Sequence, residues 1–274
     1  MIFCFNPPRA TVLLPTYGFA PFSEWALKSV CSQNVKNIEI FIVCDGSPSE
    51  MVSVFNDFAL KDKRIKVFVF KKSERTGEAY RDLLIKNEAK GKNIYYCSHD
   101  DLWLPDHIMK LEKALKKNDF THSIHATVNG LRSEFNEEKI FDSIIYADLS
   151  DIQYRARMLN KTNAENFFGL TYAAHRRKSY YHFPEGWTTT PPGIWTDLFM
   201  WRKFLAHFSD SCGTCKEITA LNFPAYLRTH LTAKERSEEL AFYFKKIQKR
   251  TFINQIREIA NEKIISANTS SRTA

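Results

Sequence analysis

Two adjacent carboxylates, Asp100 and Asp101, end the apolar run of "NIYYCSHDDLWLPDH" (93–107), and a tryptophan, a proline and a histidine follow them. Like charges side by side repel, and a half-buried pair is costly unless a cation or water answers it. A hard divalent cation such as Mg2+ or Mn2+ takes one or two protein carboxylates and leaves its other positions to phosphate and water. The plain alternative is a solvated Asp-Asp turn capping the helix after Pro105. Asp45 in "VCDGSPSE" poses the same choice: a strand-end acceptor for the N–H of a base, or an ordinary Asp-Gly-Ser turn. Asp197 in "TDLFMWRKFL" is a candidate general base or a helix cap. Arg81 could meet a base or phosphate, or stay a solvated helix charge. His175 could line a pocket or pack among its aromatic neighbours. Cys212 and Cys215 in "DSCGTCKE" have metal-site spacing, but no second pair exists, so two unlinked thiols are the better reading.

Regular elements must position these residues. "TVLLPTYG" (11–18), "IEIFIVCDGS" (38–47), "RIKVFVF" (64–70) and "KNIYYCSHDD" (92–101) read as strands, three of them delivering polar residues at their ends: Thr16, Asp45 and the Asp100–Asp101 pair. Between and after them, residues 22–33, 51–60, 77–89 and 105–117 have helical spacing, with Ser23 as an N-cap, Gly77 opening the third and Pro105 in the first turn of the fourth. Strands alternating with amphipathic helices predict an α/β fold with a mostly parallel central sheet covered on both faces. In such sheets ligands sit beyond the carboxyl ends of the strands. The second half is less regular: a strand over 121–131, ambiguity over 134–160, a strand passing into a helix over 166–183, and a Thr/Pro/Gly-rich loop running into a helix over 186–208. From about residue 232 the periodicity predicts one long helix with Leu240, Phe244 and Ile247 on one stripe and a frayed end.

The 274 residues carry 39 Lys and Arg against 31 Asp and Glu, a formal charge of +8. That balance favours anionic partners. The cations are scattered, with no basic block interleaved with aromatics, so nucleic acid is not the expected one. No apolar run approaches a membrane span, the start has no secretory pattern, and the six cysteines follow no small-scaffold framework. A cytoplasmic protein with reduced thiols is expected. The basic amphipathic segment after residue 232 could lie on the inner face of a membrane, or pack within the protein or in a homo-oligomer.

Taken in order, "LLPTYG", "QNVKNIEIFIVCDGSPSE", "RTGEAYRDLLI", "YYCSHDDLWLPDHIMKLEKAL" and "TDLFMWRKFL" resemble the inverting family 2 glycosyltransferases of the GT-A fold, of the bacterial surface-polysaccharide type. The resemblance covers roughly residues 9 to 230. It implies a GT-A domain over 1–231 followed by a C-terminal helical segment over 232–274. It implies that Thr16, Asp45 and Arg81 hold or flank the nucleotide base, that Asp100 serves the ribose side, and that Asp101 binds a Mg2+ or Mn2+ bridging the diphosphate. Asp197 would be the general base, and His175 would lie near the acceptor or diphosphate. The donor would be a nucleotide sugar and the acceptor a glycan or lipid-linked sugar. Two positions depart from the family pattern: Cys44 replaces the first of a paired Asp, and Ser98 or His99 stands where a three-residue acidic motif would begin. Two rivals are a sugar nucleotidyltransferase, disfavoured because "LLPTYGFAP" is too poor in glycine to cradle a triphosphate, and a catalytically degenerate domain acting as a binding scaffold.

Overall fold

The computed structural model describes residues 6–129 and 140–270, with backbone alone over 266–270. The first half alternates as its hydrophobic pattern requires. Strand β1 (Ala10–Thr16) leads to α1 (Ser23–Cys31), β2 (Ile38–Asp45), α2 (Ser49–Lys61), β3 (Ile65–Phe70), α3 (Glu78–Asn87) and β4 (Asn93–Tyr96). Each residue of β2 is buried, as a central strand covered on both faces should be. Then come β5 (Leu102–Trp103), α4 (His107–Leu115), β6 (Phe120–Ser123), β7 (His125–Val128), β8 (Phe141–Ile145) and α5 (Ile152–Leu159). The chain continues through β9 (Ala173–Arg176), α6 (Arg177–Tyr180), α7 (Thr196–His207), β10 (Cys212–Cys215) and β11 (Ala220–Leu221). It closes with α8 (Ala233–Ile247) and α9 (Arg250–Ser270).

Seven strands form the central sheet in the order β10-β6-β9-β4-β1-β2-β3. β1, β2, β3 and β4 run parallel, and β10 runs parallel to β6. β9 alone is reversed, antiparallel to both β4 and β6. The chain builds outward from β1 to β3, then returns to place β4 on the other side of β1. That reversal opens a crevice at the carboxyl ends of β1 and β4, where open α/β sheets bind ligands.

The expected strand over 121–131 divides at Ile124, and residues 130 and 131 lie outside the described ones. β6 joins the central sheet, whereas β7 leaves it to pair with β8. The expected long C-terminal helix also divides, between Ile247 and Arg250. Its first half begins with a capping box: Thr232 and Glu235 satisfy each other's orphan backbone donors.

Two cores result. The larger surrounds the sheet, with Leu13, Phe41, Tyr96, Phe120 and Trp201 among its fully buried side chains. The second lies between Phe22, Leu102, Val128 and Phe223 and the stripe of Leu240, Tyr243, Ile247, Phe252 and Ile256 on α8 and α9. The apolar stripe of the basic C-terminal segment therefore packs against the rest of the chain. A buried ion pair pins it: the Arg228 Nε and Nη2 donate to the two Glu239 oxygens, both at 2.7 Å. No helix among the described residues is long and apolar enough to cross a membrane.

Candidate active site

A cavity of about 270 Å³ opens at the carboxyl edge of the sheet. Register brings the residues there. Thr16 closes β1 opposite Cys44, and Asp45 closes β2 opposite Phe70. Thr16, Asp45, Arg81 and Asp197 all line the cavity, so four of the seven expected site residues converge. Ser98 and His99 line it from the turn after β4, and Trp187 and Trp195 from the long loop before α7.

Asp45 is buried and heavily used. It accepts from the Ser73 N–H at 2.5 Å, the Ser73 hydroxyl at 2.8 Å and Lys72 Nζ at 2.8 Å. These bonds fold the loop after β3 back over the strand end. Gly77, at φ +76°, completes that turn in a left-handed conformation that favours glycine. A side chain on Gly77 would also stand 3.4 Å from the Asp45 carboxylate.

Arg81 is buried on α3 with its guanidinium 4.3 Å from the centroid of the Trp187 ring. It donates to the Thr76 carbonyl at 2.8 Å and the Thr76 hydroxyl at 3.3 Å, while its Nε has no hydrogen-bond partner among the described residues. It makes no ion pair among the described residues. Burial lowers its pKa, opposed first by the charge of Glu78. The Thr16 hydroxyl is likewise buried without a hydrogen-bond partner among the described residues. Orphaned polar atoms of this kind are costly, and at a cavity wall they mark where a ligand's polar groups belong.

Asp197 sits in the first turn of α7, where the helix dipole favours a carboxylate. Its Oδ1 accepts from the Leu198 N–H at 2.8 Å and Asn166 Nδ2 at 2.9 Å. Burial pushes its pKa up to about 6, with those two hydrogen bonds pulling the other way. A carboxylate with a pKa near neutrality is suited to taking a proton.

The other three expected residues do not line the cavity. Asp101 turns inward: Oδ1 accepts from Asn222 Nδ2 at 2.9 Å and the Phe223 N–H at 3.0 Å, and Oδ2 from the Thr171 hydroxyl. Burial, then the charge of Asp100, raises its pKa. Asp100 accepts from the Ser98 hydroxyl at 2.7 Å and pairs with Arg236 of α8 at 3.1 Å. His175 lies within the sheet on β9, opposite Ile94 and Phe120. Its Nε2 meets the Tyr96 hydroxyl at 2.8 Å and its Nδ1 the Arg176 carbonyl at 3.1 Å. A carbonyl can only accept, so Nδ1 carries the proton and Tyr96 donates to Nε2. Burial lowers the His175 pKa to about 3, so the ring is neutral. Its part is structural: Trp187 Nε1 donates to the same Tyr96 hydroxyl at 2.9 Å, and Trp187 carries Arg81.

Among the described residues no group of three or more His, Cys, Asp or Glu could hold a metal ion. Cys212 and Cys215 lie three apart on β10, so their side chains leave opposite faces of the strand. Of the acidic pair, Asp101 already accepts from three donors. A Mg2+ completed by phosphate and water needs as little as one carboxylate. Asp100 fits that minimal demand, with Arg236 as the group to be displaced.

Residues 11–183 match the family described as Glycosyl transferase family 2, over more than half of the chain. The chain belongs to glycosyl transferase family 2. It is 38% identical over 126 residues to an uncharacterized glycosyltransferase of Rickettsia conorii, a match over 45% of this chain and 20% of that protein. It is 22% identical over 200 residues to the GalNAc(5)-diNAcBac-PP-undecaprenol beta-1,3-glucosyltransferase of Campylobacter jejuni, over 73% of this chain and 62% of that one. The stretches matched in the first three relatives are 20%, 24% and 42% of those proteins' lengths. Two GT-A structures share the fold. S. aureus TarS 1–349 in complex with UDP-GlcNAc has a TM-score of 0.56 at 15% identity, covering 79% of this chain and 58% of that one. Mannosyltransferase PcManGT from Pyrobaculum calidifontis, in complex with GDP-Man and Mn2+, has a TM-score of 0.54 at 17% identity, covering 95% and 70%.

This family 2 chain builds its cavity from more than the expected residues. Ser98, His99, Thr76, Trp187 and Trp195 also line it. "GWTTTPPGIWTD" carried a signal for two of them: two tryptophans in a segment otherwise made of turn formers.

Proposed function

We propose that the protein is an inverting transferase that moves a sugar from a nucleoside-diphosphate sugar to an acceptor hydroxyl, in the assembly of a surface glycan. One observation carries this reading. A carboxylate with a raised pKa, Asp197, shares a 270 Å³ cavity with Arg81, a buried guanidinium that forms no ion pair with a carboxylate among the described residues. The carboxylate can take the acceptor's proton, while the guanidinium answers the charge of the departing diphosphate. Attack from the face opposite the leaving group inverts the anomeric centre in a single displacement. That needs a base and no nucleophile on the protein. Thr16, with its unpartnered hydroxyl, and Asp45 stand at the strand ends to receive the nucleoside.

The expected Mg2+ or Mn2+ would be held by Asp100 rather than Asp101, and it would supply neutralisation of the diphosphate. Two structures similar to this chain hold donors, UDP-GlcNAc in one and, with Mn2+, GDP-Man in the other. They support a nucleotide-sugar donor and leave its base and sugar open. The Campylobacter enzyme's name specifies a lipid-linked acceptor, which supports a glycan or lipid-linked acceptor here.

The test is release of free nucleotide from a panel of UDP-, GDP-, CDP- and dTDP-sugars, with Mn2+, with Mg2+ and in chelator. Turnover of one donor, abolished by Asp197→Asn with its binding retained, is the expected result. A panel in which no nucleotide sugar binds or turns over would sink the proposal.

A further inference from the structure

Of the five tryptophans, four are buried or half-buried, and Trp195 alone is more than half exposed, at 56%. An indole left in water is costly, and a planar apolar face held open at a cavity is a common element of ligand sites. Its position is specific. Trp195 is the residue before α7, in an extended conformation at φ −68° and ψ 136°, and its carbonyl accepts the Phe199 N–H at 2.9 Å. The backbone that anchors the ring is therefore fixed by the same helical turn that fixes Asp197, two residues on. Both line the same cavity.

The cavity's buried polar groups come from other elements. Thr16, Asp45 and Arg81 come from strand ends and from α3, and Trp187 is committed beneath the Arg81 guanidinium. Trp195 has no such partner ring or cation among the described residues. We infer that Trp195 is the platform for the acceptor's sugar ring: its indole stacks on the apolar C–H face of a pyranose and so turns a ring hydroxyl toward Asp197. The inference rests on the transferase reading and adds to it the chemical class of the acceptor terminus, a pyranose ring rather than a bare lipid phosphate or a protein side chain. A pyranose has an apolar C–H face and an equatorial rim of hydroxyls. A flat indole next to a proton acceptor complements that arrangement. A serine or threonine hydroxyl would offer the ring nothing to stack on.

The experiment uses the full chain and saturation-transfer NMR with a panel of methyl pyranosides: glucose, galactose, mannose, rhamnose, N-acetylglucosamine and N-acetylgalactosamine. Each is titrated with the nucleoside diphosphate that binds best among UDP, GDP, CDP and dTDP already present. Saturation of the C–H face of at least one glycoside is expected. Trp195→Ala should weaken it about ten-fold, and Trp195→Tyr, which keeps a stacking face, by no more than about three-fold. Nucleotide binding by each variant is read in the same samples. The inference is overturned if wild type with nucleotide bound saturates no glycoside, if Trp195→Ala binds glycoside as wild type does, or if the variant loses nucleotide instead, which would place the ring in the donor half. Failure of every nucleotide to bind wild type would instead strike at the transferase reading itself.

Discussion

Protonation of Asp197 should set the acid limb of the enzyme's pH profile, and its environment gives the size of the effect. Burial lifts its pKa to about 6, while the Leu198 N–H and Asn166 pull it back. If Asp197 is the base, as proposed, the carboxylate is the active form, and activity should fall as pH drops through that value. With one group titrating near 6, the ionised fraction is about 0.9 at pH 7 and about 0.1 at pH 5, a roughly ten-fold loss of kcat/KM. The Asn166 bond to Oδ1 is a hydrogen bond to a charged acceptor, worth about 1.5–3 kcal/mol. Taking the lower end, because the cavity side of Asp197 is open to water, Asn166→Ala should move the midpoint up by about one pH unit. The assay is nucleotide release from the active donor between pH 4.5 and 8 at limiting substrate. A profile flat from pH 5 to 7, or the same midpoint in wild type and Asn166→Ala, would show that Asp197 is not the base.

Two further expectations concern the acidic pair and the buried ion pair. Asp101→Asn replaces an acceptor surrounded by three donors with a group that itself donates on one side, so it should lower the thermal midpoint while leaving the response to Mn2+ as in wild type; loss of the Mn2+ response with an unchanged midpoint would return the metal role to Asp101. Glu239→Gln leaves the Arg228 charge buried and half-answered, and denaturant unfolding should show a cost of about 3–5 kcal/mol, whereas a paired Arg228→Met and Glu239→Leu change should recover most of it. A cost below about 1 kcal/mol for the single change would mean that water reaches the pair.

Most of the sheet could be read from the sequence because its signals are local. Strands such as "IEIFIVCD" are continuous apolar runs, and the helices between them keep their own periodicity, so Thr16 and Asp45 fall at strand ends without knowledge of any contact. The acidic pair was not resolved in this way. Neighbouring side chains point in different directions, and which carboxylate turns inward depends on Asn222 and Phe223, more than a hundred residues on. His175 misleads for the opposite reason: only pairing of β9 between β4 and β6 shows that it belongs to the interior. The Arg236 partner of Asp100 is equally hidden, because it arrives on α8 through packing of the second core.

The wall of the cavity at Trp187 belongs to no strand or helix, yet it is tied to its surroundings at both backbone and side chain. The Trp187 N–H donates to the Tyr180 hydroxyl at 2.7 Å, that hydroxyl donates to Asp82 at 2.6 Å, and the indole reaches Tyr96 in the central sheet. Gly186 has no room for a side chain, since a Cβ there would come within 2.0 Å of the Tyr180 oxygen and 2.2 Å of Asp82. This stretch therefore cannot open by itself, because freeing the Trp187 amide requires Tyr180 to leave its buried place beside the sheet. In amide hydrogen exchange Trp187 should keep its proton for as long as the strands do, although by secondary structure it lies in a loop. The surface under Arg81 is thus fixed in advance, and a ligand entering there would meet a floor that needs no ordering.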